Sequence, residues 1–169
     1  MLVVRGATPD DAIGVAREHV RAWQTGYRGL LPDEGLDGMR PADRATRYTF
    51  GLTGRDDPQT LVAADEVGMI HGHVTLGPAR GVDSRAVGEI WSFYVDPDSW
   101  GLGVGRVLMS SARTRLTELG RTEAFLWVLA GNERAQRFYL RDGWTPDGSR
   151  RTDEIWGATV QELRLHTRL

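Results

Sequence analysis

YVDPDSWGLGVGR, residues Tyr94 to Arg106, is the stretch that decides how this chain is read. It closes a run from Val87 to Val95 that is apolar on both pleat faces, as in a central strand covered on both sides. Beyond it, Val104, Val107, Leu108, Ser111, Ala112, Leu116 and Leu119 recur at helical spacing until Gly120, so a long helix with one buried stripe follows. Between strand and helix lie Gly101, Gly103 and Gly105. The first amides of a helix lack partners, and the helix dipole places about half a positive charge there. Glycine lets the backbone approach an anion without a Cβ in the way, and Arg106 adds a cation. The segment is read as a phosphate-holding loop.

Two common phosphate loops do not fit it. A Walker A loop ends in Gly-Lys-Ser/Thr, whereas this one ends in Gly105-Arg106-Val107. A dinucleotide fingerprint needs glycine at its sixth position, which Arg106 occupies, and belongs in an early strand–helix–strand unit. Nucleotide hydrolysis and hydride transfer recede.

Working outward, Leu2 to Arg5 reads as a short strand, and Thr8-Pro9-Asp10-Asp11 as a helix start with a cap, a proline and two carboxylates at the positive end. Ala12, Ile13, Ala16, Val20, Trp23 and Tyr27 give that helix its inward face, which Gly29 and Pro32 interrupt. One or two short helices fall in Asp33 to Leu52. Thr60 to Ala64 and Met69 to Leu76 form a hairpin turning at Asp65 to Gly68, and Gly77-Pro78 ends it. After the long helix, Ala124 to Leu129 is an apolar strand, Asn132 caps a helix over Glu133 to Arg141, and two strands follow, Trp144 to Arg150 and Thr159 to His166. The order is β-α-α-β-β-β-α-β-α-β-β. It predicts an α/β chain with a mixed sheet, parallel around the Val87 and Ala124 strands and antiparallel elsewhere, in a single domain over residues 1–169.

Composition narrows the partners. The chain has 169 residues, 21 basic (all arginine) against 23 acidic, and a net charge of -2, which gives no footprint for nucleic acid or an anionic membrane. The start MLVVRGATPDD has neither a charged n-region nor a long apolar run, so the expectation is a soluble, cytoplasmic protein. There is no cysteine, which removes disulfides, thiolate nucleophiles and cysteine-based zinc sites. His71-Gly72-His73 places two histidines on one strand face, with no third ligand marked nearby, so no metal is expected there.

Tyr94-Val95-Asp96-Pro97 with Gly101-Leu102-Gly103-Val104-Gly105-Arg106 resembles the acetyl-coenzyme A motif of the GNAT superfamily of N-acetyltransferases. A second segment, Asn132-Glu133-Arg134-Ala135-Gln136-Arg137-Phe138-Tyr139 followed by Gly143-Trp144, is similar to the family's N-x-x-A-x-x-F-Y…G-F/W pattern at the expected distance. The resemblance spans nearly the whole chain and implies an acyl-coenzyme A N-acyltransferase fold with acetyl-coenzyme A as donor. It implies that the backbone of Phe93 and Val95 holds the pantetheine arm beside Tyr94. The amides from Gly101 to Arg106 would hold the pyrophosphate, with Asn132, Arg134 and Phe138 completing the donor site. Tyr139 would stand beside the thioester sulfur as general acid. Trp100 occupies a position where the family usually has Gln or Arg, and Trp127 one where some members have a glutamate.

Acetyl transfer to an amine needs a neutral amine, a polarised thioester and a protonated leaving thiol. Without cysteine, direct attack in a ternary complex is the simpler route. Glu89, ionisable within an apolar strand, is the candidate base; pairing with an arginine is the alternative for it. Trp23, Tyr27 and Arg28 on the first helix, and His73 on the strand beside Val87, are candidates for the acceptor side, with core packing the competing account of Trp23. The function expected is N-acetyl transfer to a primary amine, small molecule or peptide. A non-catalytic acyl-coenzyme A-binding module is the alternative, and a homodimer through the C-terminal edge strands is expected by fold analogy.

Overall fold

The computed structural model describes all 169 residues, and its strands form one seven-stranded sheet in the order β1-β2-β3-β4-β5-β7-β6. The elements are β1 (Val3–Gly6), α1 (Ala12–Gly26), α2 (Asp33–Gly38), α3 (Pro41–Ala45), β2 (Gln59–Ala64), β3 (Ile70–Pro78), β4 (Val87–Val95), α4 (Val104–Glu118), β5 (Glu123–Leu129), α5 (Glu133–Arg141), β6 (Thr145–Ile155) and β7 (Ala158–Arg168). Only β4 and β5 pair in parallel, as the apolar runs and the intervening helix require. The last hairpin is longer than its sequence pattern predicts, because β6 is exposed along most of its length and carries no alternation to mark its end.

The two faces of the sheet carry different helices. A Cβ on Gly72 would lie 2.9 Å from Leu108 of α4 and from the Tyr94 carbonyl, so only glycine lets α4 sit this close. Its neighbour His73 turns to the other face and bonds Glu18 of α1. Under α4 lies the main core, with Val74, Leu76, Ile90, Leu108, Met109, Ala112, Leu116, Leu126, Trp144 and Leu165. A smaller core of Ala7, Val15, Val62, Ala64 and Ile70 lies under α1. The stripe of α4 departs from expectation at one residue: Val107 is 45% exposed, and Met109 is buried in its stead. At 100° per residue, Val104, Leu108, Ala112, Leu116 and Met109 fall within one arc, and Val107 lies on the far side of it.

Three features set up the cleft. Thr75 pairs with Ser92 but Leu76 with Ile90, so Trp91 is the extra residue of a bulge in β4. The β4–β5 pairing runs only from Val87–Glu123 to Ile90–Leu126, whereas β5 stays paired with β7 as far as Leu129–Glu162. Beyond Trp91 the strands therefore part. The β6–β7 turn, Trp156-Gly157, has both residues at positive φ, as a tight hairpin turn demands. Trp156 then docks on α2 at Gly35, where a Cβ would meet its ring at 2.1 Å, and lies 6.0 Å from Trp23.

Beneath α1 is a buried polar cluster. Glu18, His19 and His73 are all essentially inaccessible; His73 Nδ1 bonds Glu18, and neither ring nitrogen of His19 has a partner. Burial, then the neighbouring His73 and Arg44, pushes His19 down to about 2 from its usual 6.5, so it folds as the neutral ring.

Trp144 is fully buried, donates to Asp142 Oδ2 at 3.0 Å and supports Arg113; Trp144→Ala should cost about 3–5 kcal/mol in denaturant unfolding. For His19, the unfolded chain takes up a proton as pH falls through 6.5 and the folded chain only near 2. The stability is complete above 6.5 and declines below it, by up to about 1.4 kcal/mol per pH unit. His19→Phe, which keeps the aromatic packing, should flatten the fall in melting temperature between pH 6.5 and 4.5; an unchanged slope would show that His19 charges freely in the fold.

Candidate active site

The parting of β4 from β5 opens a cavity of about 1100 Å³ that runs from the glycine loop to the base of the β6–β7 hairpin. The Asp96 amide donates to His71 on the β3 side, so by strand alternation Tyr94 and Ser92 also face β3, while Phe93 and Val95 present their peptide groups to the gap. One of these groups is already occupied: Trp100 Nε1 donates to the Val95 carbonyl at 2.8 Å.

The loop is built as its glycines predict. Gly101 and Gly103 have φ of 76° and 87°, a conformation that disfavours side chains, and Gly103 is the N-cap of α4. The Leu102 amide bonds Ser99 and the Val107 amide bonds Gly103; the amides of Gly103, Val104, Gly105 and Arg106 between them have no acceptor in the protein. Gly105 lies under Phe138, 3.2 Å from a Cβ placed there, and Phe138 stacks on Phe93 with 5.4 Å between centroids. On α5, Asn132 Oδ1 accepts the Ala135 amide at 3.2 Å and caps the helix. Arg134 lies with its guanidinium 3.6 Å from the Trp100 ring centroid, and burial lowers its pKa. Tyr139 packs against Phe93 and Trp144 at the gap. Burial pushes the phenols of Tyr27, Tyr94 and Tyr139 upward, so all three stay protonated near neutral pH.

Every residue assigned to the donor side in the sequence, from Phe93 to Phe138, borders this cavity or its loop, and Glu89, Tyr139, Trp23 and Tyr27 line it too. Trp23 both lines the cavity and packs edge-on to Tyr27 at 4.9 Å. Two expectations need correction. Arg28 lies outside the cavity, because its guanidinium is drawn to Asp33 and Asp37 of α2. His73 lies outside as well, because Glu18 holds it buried on the α1 face. The two histidines that sequence places on one face have separate carboxylate partners, since His71 bonds Asp65 at 3.0 Å.

Glu89 lines the cavity and is at the same time paired with an arginine, so the candidate base and the ion pair set against it fall on one residue. It is buried, its Oε2 is bound by Nε of Arg80 at 2.9 Å and by Nη2, and its Oε1 accepts the Arg80 amide at 3.2 Å. Residues that sequence reasoning passed over complete this end of the cavity: Arg80 over the Trp91 ring at 4.5 Å, and Arg151 over the Trp127 ring at 4.4 Å, bonded to Glu162. Their signal lay only in strand pairing, because Arg151 and Glu162 face each other across β6 and β7.

Comparison with known proteins agrees with this geometry. The sequence model of the acetyltransferase (GNAT) family matches residues 18–144. An uncharacterized N-acetyltransferase of Archaeoglobus fulgidus is 32% identical over 139 residues, covering 80% of this chain and 88% of that protein. The uncharacterized N-acetyltransferase YuaI of Bacillus subtilis is 27% identical over 132 residues, 78% of this chain and 74% of that one. Among solved structures, the PaiA N-acetyltransferase of Thermoplasma acidophilum in complex with coenzyme A superposes with a TM-score of 0.74 at 15% identity, covering 100% and 99% of the two chains.

Proposed function

The chain belongs to the acetyltransferase (GNAT) family, and from that premise we propose that it transfers an acetyl group from acetyl-coenzyme A to a primary amine by direct attack in a ternary complex. The observation that carries this reading is the meeting, in one cavity, of an unpaired strand edge, a loop of acceptor-less amides and a protonated tyrosine. Family membership supports acetyl-coenzyme A as donor, and the residues fit it. The amides of Gly103 to Arg106 offer four donors to a pyrophosphate at the positive end of a fifteen-residue helix. Trp100 supplies no polar group of its own to the phosphates; it carries Arg134 on its face, so the missing charge is restored from α5. The Phe93 and Val95 peptide groups receive the pantetheine amides as an added strand would be received.

When bound, acetyl-coenzyme A supplies the thioester carbon that the amine nitrogen attacks, and its sulfur leaves as the free thiol. The protein has two tasks around that event. Tyr139 keeps its phenolic proton at neutral pH and donates it toward the departing sulfur. Glu89 is the proton acceptor on the amine side, where Arg80 holds its carboxylate in place; the proton passes to Oε1, whose protein partner is a single amide at 3.2 Å.

Acetyl-coenzyme A should raise the melting temperature of the protein, and an amine panel should then release free thiol. Stabilisation with no thiol release from any amine would make the protein an acyl-coenzyme A-binding module instead. Tyr139→Phe should lower kcat by about a hundredfold with the donor Kd unchanged; unimpaired turnover would assign another acid. Glu89→Gln should lower kcat by about a hundredfold with the donor Kd unchanged; unimpaired turnover would place the base elsewhere.

A further inference from the structure

Past the donor end, the two parting strands carry matching devices. On β4, Trp91 supports the guanidinium of Arg80, which is bound to Glu89. On β5, Trp127 supports the guanidinium of Arg151, which is bound to Glu162 at 2.9 Å. All six residues line the same cavity. In each pair the acid is buried and the base is not: the side chains of Glu89 and Glu162 are 2% and 10% exposed, those of Arg80 and Arg151 52% and 45%. Each guanidinium spends Nε and Nη2 on its glutamate and leaves Nη1 without a partner.

From this arrangement we infer that the acceptor is an amine that carries its own acidic group close to the nitrogen, an amino acid rather than a simple amine or a polyamine. The inference rests on the acetyl-transfer reading above. Both walls carry a guanidinium toward the acceptor, and one held over an indole and fixed by a glutamate is pre-organised for a carboxylate. An amine with no anion has no group to give to the open Nη1 positions and gains nothing from them. An amino acid gives its carboxylate to the open Nη1 positions, and the same cations favour the neutral, nucleophilic form of its nitrogen. The buried glutamates then have a definite role, since they fix the two arginines while Glu89 stays within reach of the amine.

The test is thiol release from acetyl-coenzyme A with matched sets: an α-amino acid, its methyl ester and the corresponding decarboxylated amine, for several side chains. The acid should exceed both others in kcat/KM by at least about tenfold. The ester is the stringent control, because its amine is the less basic and would win if neutrality alone mattered. Arg151→Ala and Arg80→Lys should each raise KM for the acid and shrink the acid-to-amine ratio; a ratio taken within one preparation is insensitive to partial unfolding. Equal use of acid, ester and amine, or ratios unmoved in both variants, would overturn the inference and leave the acetyltransferase standing. If no amine releases thiol, the enzyme reading falls by itself. Calorimetric titration of the coenzyme A-bound protein with acid and amine then decides the inference, which fails if the acid binds no more tightly.

Discussion

Everything functional in this chain depends on two parallel strands that begin paired and do not stay so. The β4–β5 ladder ends at Ile90–Leu126, where the Trp91 bulge turns β4 while β7 keeps hold of β5. Unpaired peptide groups inside a protein are costly unless a partner arrives. Here the cost falls on Phe93 and Val95, and part of it is met by the Trp100 indole at the Val95 carbonyl. The rest of the gap is kept open by residues too large to close it: Phe93 and Phe138 on the donor side, Trp91 and Trp127 on the other.

The rigidity that holds the gap comes from either face. Gly72 lets α4 lie close to the sheet, and the hydrophobic core beneath it is continuous from β3 to β7. On the other face α1 is fastened through Glu18 and His73, and through Arg21, which grips Asp96 at 2.8 Å at the end of β4. That last pair connects the first helix directly to the segment that becomes the glycine loop. Charge is managed by one residue type throughout. All 21 Lys/Arg positions are arginine, and Arg80, Arg134 and Arg151 at the cavity lie over tryptophan rings. A ring face under a planar cation limits its motion and leaves its edge for ligands.

The donor half of the site was legible because it is local in sequence. Residues 94–106 and 132–144 each hold the groups proposed for the donor within one loop and one helix start, and glycine spacing, capping and helical period report such arrangements directly. The acceptor half was not. Arg28 was assigned there as a cation beside Trp23 and Tyr27 at the first helix, where the resemblance implies part of the acceptor pocket, but a nearby pair of aspartates claims it. His73 was assigned by strand adjacency, but adjacency does not say which face a side chain takes, and Gly72 settles that by facing α4. Arg151 and Glu162 meet only through the β6–β7 register, and Trp156 reaches Trp23 only because its hairpin folds over α2. The stripe of α4 was read correctly apart from Val107, where spacing alone could not fix the centre of the buried arc.

The central claim is that the open edge of β4 is the seat of the donor. Amide hydrogen exchange resolved at single residues tests it most directly. Without ligand, the Phe93 and Val95 amides should exchange much faster than those of Ser92 and Tyr94, which face β3. With acetyl-coenzyme A, Phe93 and Val95 should become protected together with the amides of Gly103 to Arg106, while Ser92 and Tyr94 stay as they were. If the loop amides and the β4 edge exchange at the same rates with and without the donor, it sits elsewhere and the account of this cleft is wrong.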